Sequence, residues 1–171
     1  MRERATELLI RPVRAEDAGA IVAIFNPIIT AGVYTVFDTP FTIEAEREYI
    51  EHFPPRGVFY VAERGEDHRV VGFQSMEPFA TYTHAFDHVG VIGTFIDLAQ
   101  RRQGIGTRLS KVTFEAARGK GYEKLFTYVR ADNPASLAFH LRLGFRIVGT
   151  AQRQAKIAGR YIDEIVIEKL L

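Results

Sequence analysis

The stretch QRRQGIGTRL, Gln100 to Leu109, sets Arg101, Arg102 and Gln103 beside Gly104 and Gly106 and then turns helical. Glycines let a backbone approach a ligand closely and turn several N–H groups toward it. A helix that follows adds unpaired N–H groups and the positive end of its dipole, which favours an anion. The stretch therefore reads as a phosphate cradle or as a tight turn with charged decoration. The P-loop spacing is absent, and Leu109 stands where a dinucleotide fingerprint needs its third Gly or Ala. A second stretch, RADNPASLAFHLRLGF, carries Asn133 as an N-cap, Pro134 as first helical residue and Gly144 as stop. Ser136 and His140 lie four apart on that helix with Asn133 near the same face. This polar edge is a ligand contact or a solvated face, while Leu137 and Leu141 are expected to point to the core.

The elements around these stretches follow from pattern. TELLIRPV, Thr6 to Val13, alternates as an edge strand, and RAEDAGAIVAIF is helical until Asn26-Pro27 interrupts or kinks it. Thr42 is the expected N-cap of IEAEREYIEHF, which Pro54-Pro55 ends. GVFYVAER and RVVGFQSMEPFA form an antiparallel hairpin across GEDH, and HVGVIGTFID is a further strand. The helix after the glycine loop should bury Ile105, Leu109, Val112 and Ala116. EKLFTYVR is a strand, and GFRIVGTAQ with GRYIDEIVIEKL closes the chain as a strand pair. The class is α/β, a mixed sheet with helices packed on it as a single layered structure.

Composition removes several function classes. The 171 residues are 47% apolar and 25% charged with a formal net charge of +1, which fits one globular domain over 1–171. No basic block marks a nucleic-acid surface, and the apolar run AGAIVAIF is far too short to cross a bilayer. The start MRERATELLIRPV has no apolar core of a signal peptide, and a cytoplasmic location is expected. With no cysteine there is no disulfide, thiolate metal site or cysteine nucleophile. His84 and His88 have the spacing of a metal pair but no further clustered ligand, so they read as loop residues and no metal is expected.

Taken together, the two motif stretches and the element order resemble the GNAT N-acetyltransferase superfamily over essentially the whole chain. Its acetyl-CoA loop, Gln/Arg-x-x-Gly-x-Gly/Ala, is matched by Arg101, Gly104 and Gly106. Its next block is matched by Asn133, Ser136, His140, Gly144 and Phe145. More narrowly, IFNPIITAGVYTVFDTP, the His at 140 and the closing GRYIDEIVIEKL resemble the phosphinothricin/methionine-sulfoximine acetyltransferase branch. The resemblance implies that two central parallel strands, GVIGTFID and EKLFTYVR, splay apart to admit the pantetheine arm of acetyl-CoA. It implies main-chain pairing by Phe95 and Ile96, and pyrophosphate contacts from Gln103, Gly104, Ile105, Gly106 and Thr107. Arg101 and Arg102 would add charge, and Asn133 and Ser136 would touch pantetheine.

The implied activity is acetyl transfer to the primary amine of a small molecule, such as an amino acid or an analogue like phosphinothricin or methionine sulfoximine. Rival readings are acetylation of a protein or peptide amine and a non-catalytic acyl-CoA sensor. An alkyl ammonium with a pKa of about 10 must lose a proton first, and the thiolate leaving group benefits from an acid. His140 stands where the superfamily commonly has a Tyr acid; it either donates a proton or only hydrogen-bonds coenzyme or solvent. Where the branch often carries a Glu in the strand before the loop, this chain has Val91. The base is therefore unassigned, with Glu77, His84, Asp87 and His88 as candidates. Asn26, Tyr34, Phe37 and Tyr82 are the expected acceptor-pocket side chains. Homodimerisation through the C-terminal strands is implied by the resemblance alone.

Overall fold

In the computed structural model, which describes residues 7–171, seven strands form one sheet in the order β1-β2-β3-β4-β5-β7-β6. The strands are β1 (Leu8–Pro12), β2 (Val58–Arg64), β3 (Arg69–Pro78), β4 (Val89–Ile96), β5 (Lys124–Arg130), β6 (Arg146–Ile157) and β7 (Arg160–Leu170). The helices are α1 (Ala18–Ala31), α2 (Ile43–Glu51), α3 (Ile105–Gly119) and α4 (Pro134–Arg142). Every neighbouring pair is antiparallel except β4–β5, which α3 joins as a crossover. The first strand is at the sheet edge as its alternation predicts; Thr6, expected to begin it, lies outside the described residues.

Alternation along β2 explains why helices cover both faces. Phe59 and Val61 pack with Ile21, Ile24, Phe25 and Ile28 of α1, whereas Val58 packs with Phe114 and Ala117 of α3. The helices thus flank the mixed sheet on both sides. The apolar stripe of α1 continues on both sides of Pro27, through Ile28 and Ile29. The helix accordingly runs unbroken to Gly32, because burial of that stripe outweighs the proline cost of about 3 kcal/mol. Thr42 caps α2 by accepting from the Ala45 N–H at 3.1 Å.

Two helical faces differ from their sequence expectation. On α3 the buried residues include Leu109, Ser110, Thr113 and Ala117, while Val112 and Ala116 are only partly buried. The rotation follows from Gln74, fully buried on β3, which donates to Ser110 Oγ at 2.9 Å and Thr94 Oγ1 at 2.7 Å. On α4 Leu137 packs against the core as expected, but Leu141 is exposed and His140 is buried instead.

Strands β3 and β4 approach tightly at Gly90, where an added Cβ would lie 2.2 Å from Sδ of the fully buried Met76. Gly90→Ala should therefore destabilise the fold by about 1–3 kcal/mol through overpacking, read as a lowered midpoint in urea unfolding with an unchanged slope.

Candidate active site

The β4–β5 ladder stops at Val91 opposite Phe126, although β4 runs on to Ile96 and β5 to Arg130. Thr127 Oγ1 donates to the Ile92 carbonyl at 2.7 Å, so a side chain closes the last rung. Beyond it the strands part. The hydrogen bonds Phe79 N–H to Val89 O and Asp97 N–H to Val71 O, both 3.0 Å, fix the register of β4 against β3. Odd-numbered residues of β4 therefore turn their main-chain groups to β3, and even-numbered ones turn theirs to β5. Thr94 and Ile96 face the gap, whereas Phe95 spends its groups on Phe73. This corrects the expected Phe95–Ile96 pair by one residue. Opposite them, Ala131 N–H to Asp163 O at 2.9 Å fixes β5 against β7, which leaves Tyr128 and Arg130 facing the gap. Main-chain groups inside a sheet require partners, and an extended ligand carrying amides fits a gap edged in this way.

At the open end of the gap lies the glycine loop. Arg102 (φ 65°) and Gly104 (φ 75°) are both left-handed, the backbone alternation that gathers N–H groups into an anion nest. Gly104 caps α3, and its carbonyl accepts from Arg108 N–H at 3.1 Å. The N–H groups of Ile105, Gly106 and Thr107 thus precede the helical ladder and remain for a ligand. Gly106 has a different reason: a Cβ there would come within 2.9 Å of the Phe139 ring, so it lets α3 and α4 meet. Arg102 and Gln103 are exposed, while the Arg101 guanidinium lies 4.0 Å over the Tyr34 ring.

Asn133 caps α4, accepting from Ser136 N–H at 3.2 Å, and donates from Nδ2 to the Tyr34 carbonyl at 3.3 Å. His140 Nδ1 lies 2.8 Å from the Ser136 carbonyl, which can only accept. Nδ1 therefore carries the proton, and Nε2 of the neutral ring is an acceptor. Burial lowers the His140 pKa, against the smaller opposing effect of the Ser136 carbonyl. These facts set it up as a hydrogen-bond acceptor at neutral pH, in line with the second of its two expected roles rather than the first.

A cavity of about 680 Å³ extends from the gap, where Thr94, Ser136 and His140 line it, into the space between the sheet, α2 and the 32–41 loop. Arg130 holds that loop. Its guanidinium forks onto Asp132 at 2.8 and 2.7 Å and donates to the carbonyls of Gly32 and Thr35, each at 2.9 Å. Of the expected pocket residues, Tyr34 and Phe37 line the cavity. Asn26 does not: its amide pairs in both directions with the main chain of Phe41 at 2.9 Å and so fixes the loop. Tyr82 is 82% exposed, away from the cavity.

Among the candidate bases, Glu77 alone lines the cavity. His84 is exposed and bonded to Asp87, which pairs with Arg56, and the main-chain carbonyl of His88 is engaged by Glu123 and Lys124. Glu77 lies directly across from Val91 in the β3–β4 register, and opposed residues project to the same face. The carboxylate missing at Val91 is thus present one strand away.

Two further polar groups were missed by the sequence reading. Glu46 is 5% exposed and borders the cavity, with no hydrogen-bond donor at its carboxylate among the described residues. Burial pushes its pKa up to about 7. Tyr49, one turn on, donates to Glu77; burial first, then Glu77 and Glu46, hold its phenol protonated above the ordinary range. The signal was a carboxylate on the stripe Ile43, Glu46, Ile50, Phe53, where an apolar residue belongs.

Comparison with known proteins agrees with this geometry. The family model described as Acetyltransferase (GNAT) family matches residues 29–145. The chain is 26% identical to the phosphinothricin N-acetyltransferase of Streptomyces coelicolor, covering 96% of this chain and 97% of the relative. It is 24% identical to the L-methionine sulfoximine/L-methionine sulfone acetyltransferase of Pseudomonas paraeruginosa, covering 90% and 89%. A crystal structure of ribosomal-protein-alanine N-acetyltransferase from Brucella melitensis superposes with a TM-score of 0.88 at 29% identity, covering 95% of this chain and 99% of that one. A parted β4–β5 pair, a glycine nest at its mouth and a family match over more than half the chain have one reading: the chain belongs to the GNAT acetyltransferase family and is an enzyme that uses acetyl-CoA.

Proposed function

We propose that this single domain of residues 1–171 transfers an acetyl group from acetyl-CoA to the primary amine of a small molecule held in the cavity. The observation that carries the reading is the continuity of the cavity with the β4–β5 gap, so that one space receives both reactants. Thr94 and Ile96 hold the pantetheine arm by their main chain, with Asn133 and Ser136 beside it. The amides of Gln103, Gly104, Ile105, Gly106 and Thr107 receive the pyrophosphate, aided by Arg101 and Arg102. Acetyl-CoA, when bound, supplies the thioester to be attacked; a main-chain N–H near Ile96 is placed to stabilise charge developing on its carbonyl oxygen.

Glu46 acts as the base that takes the proton from the acceptor ammonium. A base works best with a pKa near the operating pH, and Glu46 titrates at about 7. The Tyr49–Glu77 pair lies on the same cavity wall and orients the amine. His140, with Nε2 free, accepts a hydrogen bond from acceptor or coenzyme. A protein acceptor is not favoured, because the carboxylates line an aromatic-walled cavity rather than an open groove on the surface. The enzyme has no helix, among the described residues, long and apolar enough to cross a membrane, and a cytoplasmic site suits its acetyl-CoA supply. Homodimerisation is supported by the exposed outer strand β6, with Ile147 and Val148 each about half exposed. Light scattering after gel filtration should give twice the monomer mass of 19.3 kDa.

The chain has no cysteine, so a thiol reagent reports only released coenzyme A. Incubation with acetyl-CoA and a panel of amines should give release above the no-amine blank. Release with a peptide pool alone would overturn the small-molecule reading, and tight acetyl-CoA binding without release would favour a sensor. Gly104→Val forces a β-branched residue to positive φ at a position with no neighbour within 4 Å of the new Cβ. It should weaken acetyl-CoA at least about tenfold in calorimetry, a loss near 1.4 kcal/mol.

Glu46→Gln should reduce kcat by about 10²-fold or more and remove the acidic limb, near pH 7, from the profile of kcat. Stability should move the other way. The folded pKa of Glu46 lies above its unfolded value, so the wild type loses stability as pH rises from about 4.5 toward 7. Glu46→Gln should therefore unfold at a higher temperature than wild type at pH 8, with the gain shrinking at pH 5.

A further inference from the structure

We infer that the acceptor is an apolar, preferably aromatic, primary amine that carries no carboxylate. This rests on the small-molecule reading above and narrows it. The cavity walls are aromatic. Phe25 is the centre, with ring centroids 4.4 Å from Phe95, 5.2 Å from Phe37, 5.5 Å from Phe41 and 5.6 Å from Phe73. Such a wall takes a ring or branched hydrocarbon by offset or edge contacts, and offers it no polar partner.

The charges in the cavity have one sign. Glu46, Glu77 and Glu164 all border it, whereas the one Lys or Arg among the described lining residues is Arg130. That guanidinium is largely committed within the fold, because four of its five N–H donors go to Asp132 and the carbonyls of Gly32 and Thr35 at 2.7–2.9 Å. Releasing it would also free the loop that forms the cavity roof. Arg101 is not among the lining residues, and its guanidinium already stacks 4.0 Å over the Tyr34 ring. His140 presents an unprotonated Nε2, which repels rather than receives an anion. An α-amino acid would have to place its carboxyl carbon two bonds from the reacting nitrogen, hence among these acceptors, with Arg130 as the one lining cation and that one already paired with Asp132. An ammonium without that carboxylate meets Glu46 and Glu77 directly. The pattern therefore attracts the amine and excludes the amino acid built on the same skeleton.

The test compares acceptors that share a shape. Purified full chain with saturating acetyl-CoA at pH 8 would be assayed by thiol release with phenethylamine, phenylalaninamide and phenylalanine. Phosphinothricin, methionine sulfoximine and a mixed peptide pool complete the set. The expected result is kcat/KM for phenethylamine and phenylalaninamide at least about 10²-fold above phenylalanine, the size of discrimination that an unpaired buried polar group produces. Phosphinothricin and methionine sulfoximine should fall with phenylalanine. Equal rates for amine and amino acid, or selective turnover of either amino-acid analogue, would overturn the inference while leaving small-molecule acetylation standing. Release with peptides alone, or with none of the set, would overturn both.

Discussion

Past Val91 and Phe126 two neighbouring strands in the middle of a sheet stop pairing, and the rest of the molecule is arranged around that parting. A sheet does not open at its centre without support, since unpaired main-chain groups there are costly. Thr127 closes the last rung with its hydroxyl, β3 and β7 hold the two strands from outside, and Arg130 fastens the 32–41 loop beside the opening. The same opening sets the order of binding contacts. The glycine nest sits at its mouth, the polar face of α4 along its side and the aromatic cavity beyond it. A coenzyme threaded through such a gap delivers its reactive end to the cavity while its charged end stays at the surface.

The acidic end of the cavity is where function and stability pull against each other. Glu46 is buried on the core-facing side of α2 with its carboxylate unpaired, and its raised pKa is the direct expression of that cost. A structural protein would put Leu or Phe there. The cost is consistent with a group that must be neutral or charged according to the proton it exchanges. Tyr49 and Glu77 supply the neighbouring hydrogen bond, and their mutual contact keeps both oriented.

Relatives with the same sheet and loop act, by their names, on amino-acid analogues in two cases and on a ribosomal protein in another. The cavity beyond the gap is walled by α2, the 32–41 loop and β3. In this chain Val91 lacks the carboxylate and Glu77 and Glu46 bring theirs from adjacent elements.

The sequence by itself determined the glycine turn before α3 and the cap of α4. The spacing of Gly104, Gly106, Asn133 and Ser136 is local, so turn and cap chemistry within a few residues was enough to place those features, while their reading as coenzyme contacts came from the resemblance. The strands and helices were legible for the same reason, apart from Pro27, whose break was overruled by the packing of α1. Only the tertiary structure decided the acceptor half. Which of Glu77, His84, Asp87 and His88 faces the cavity depends on strand register, and a shift of one residue exchanges the two faces. That register also moved the gap-facing main chain from Phe95 to Thr94. Glu46 was hidden because a carboxylate on an apolar stripe gains meaning only when the wall opposite it is known. Arg130 lies 98 and 95 residues from Gly32 and Thr35, whose carbonyls it holds, and meets them only through the fold. Local geometry can be read from neighbours in sequence, whereas burial and the charge balance of a cavity are sums over groups that the folded chain alone brings together.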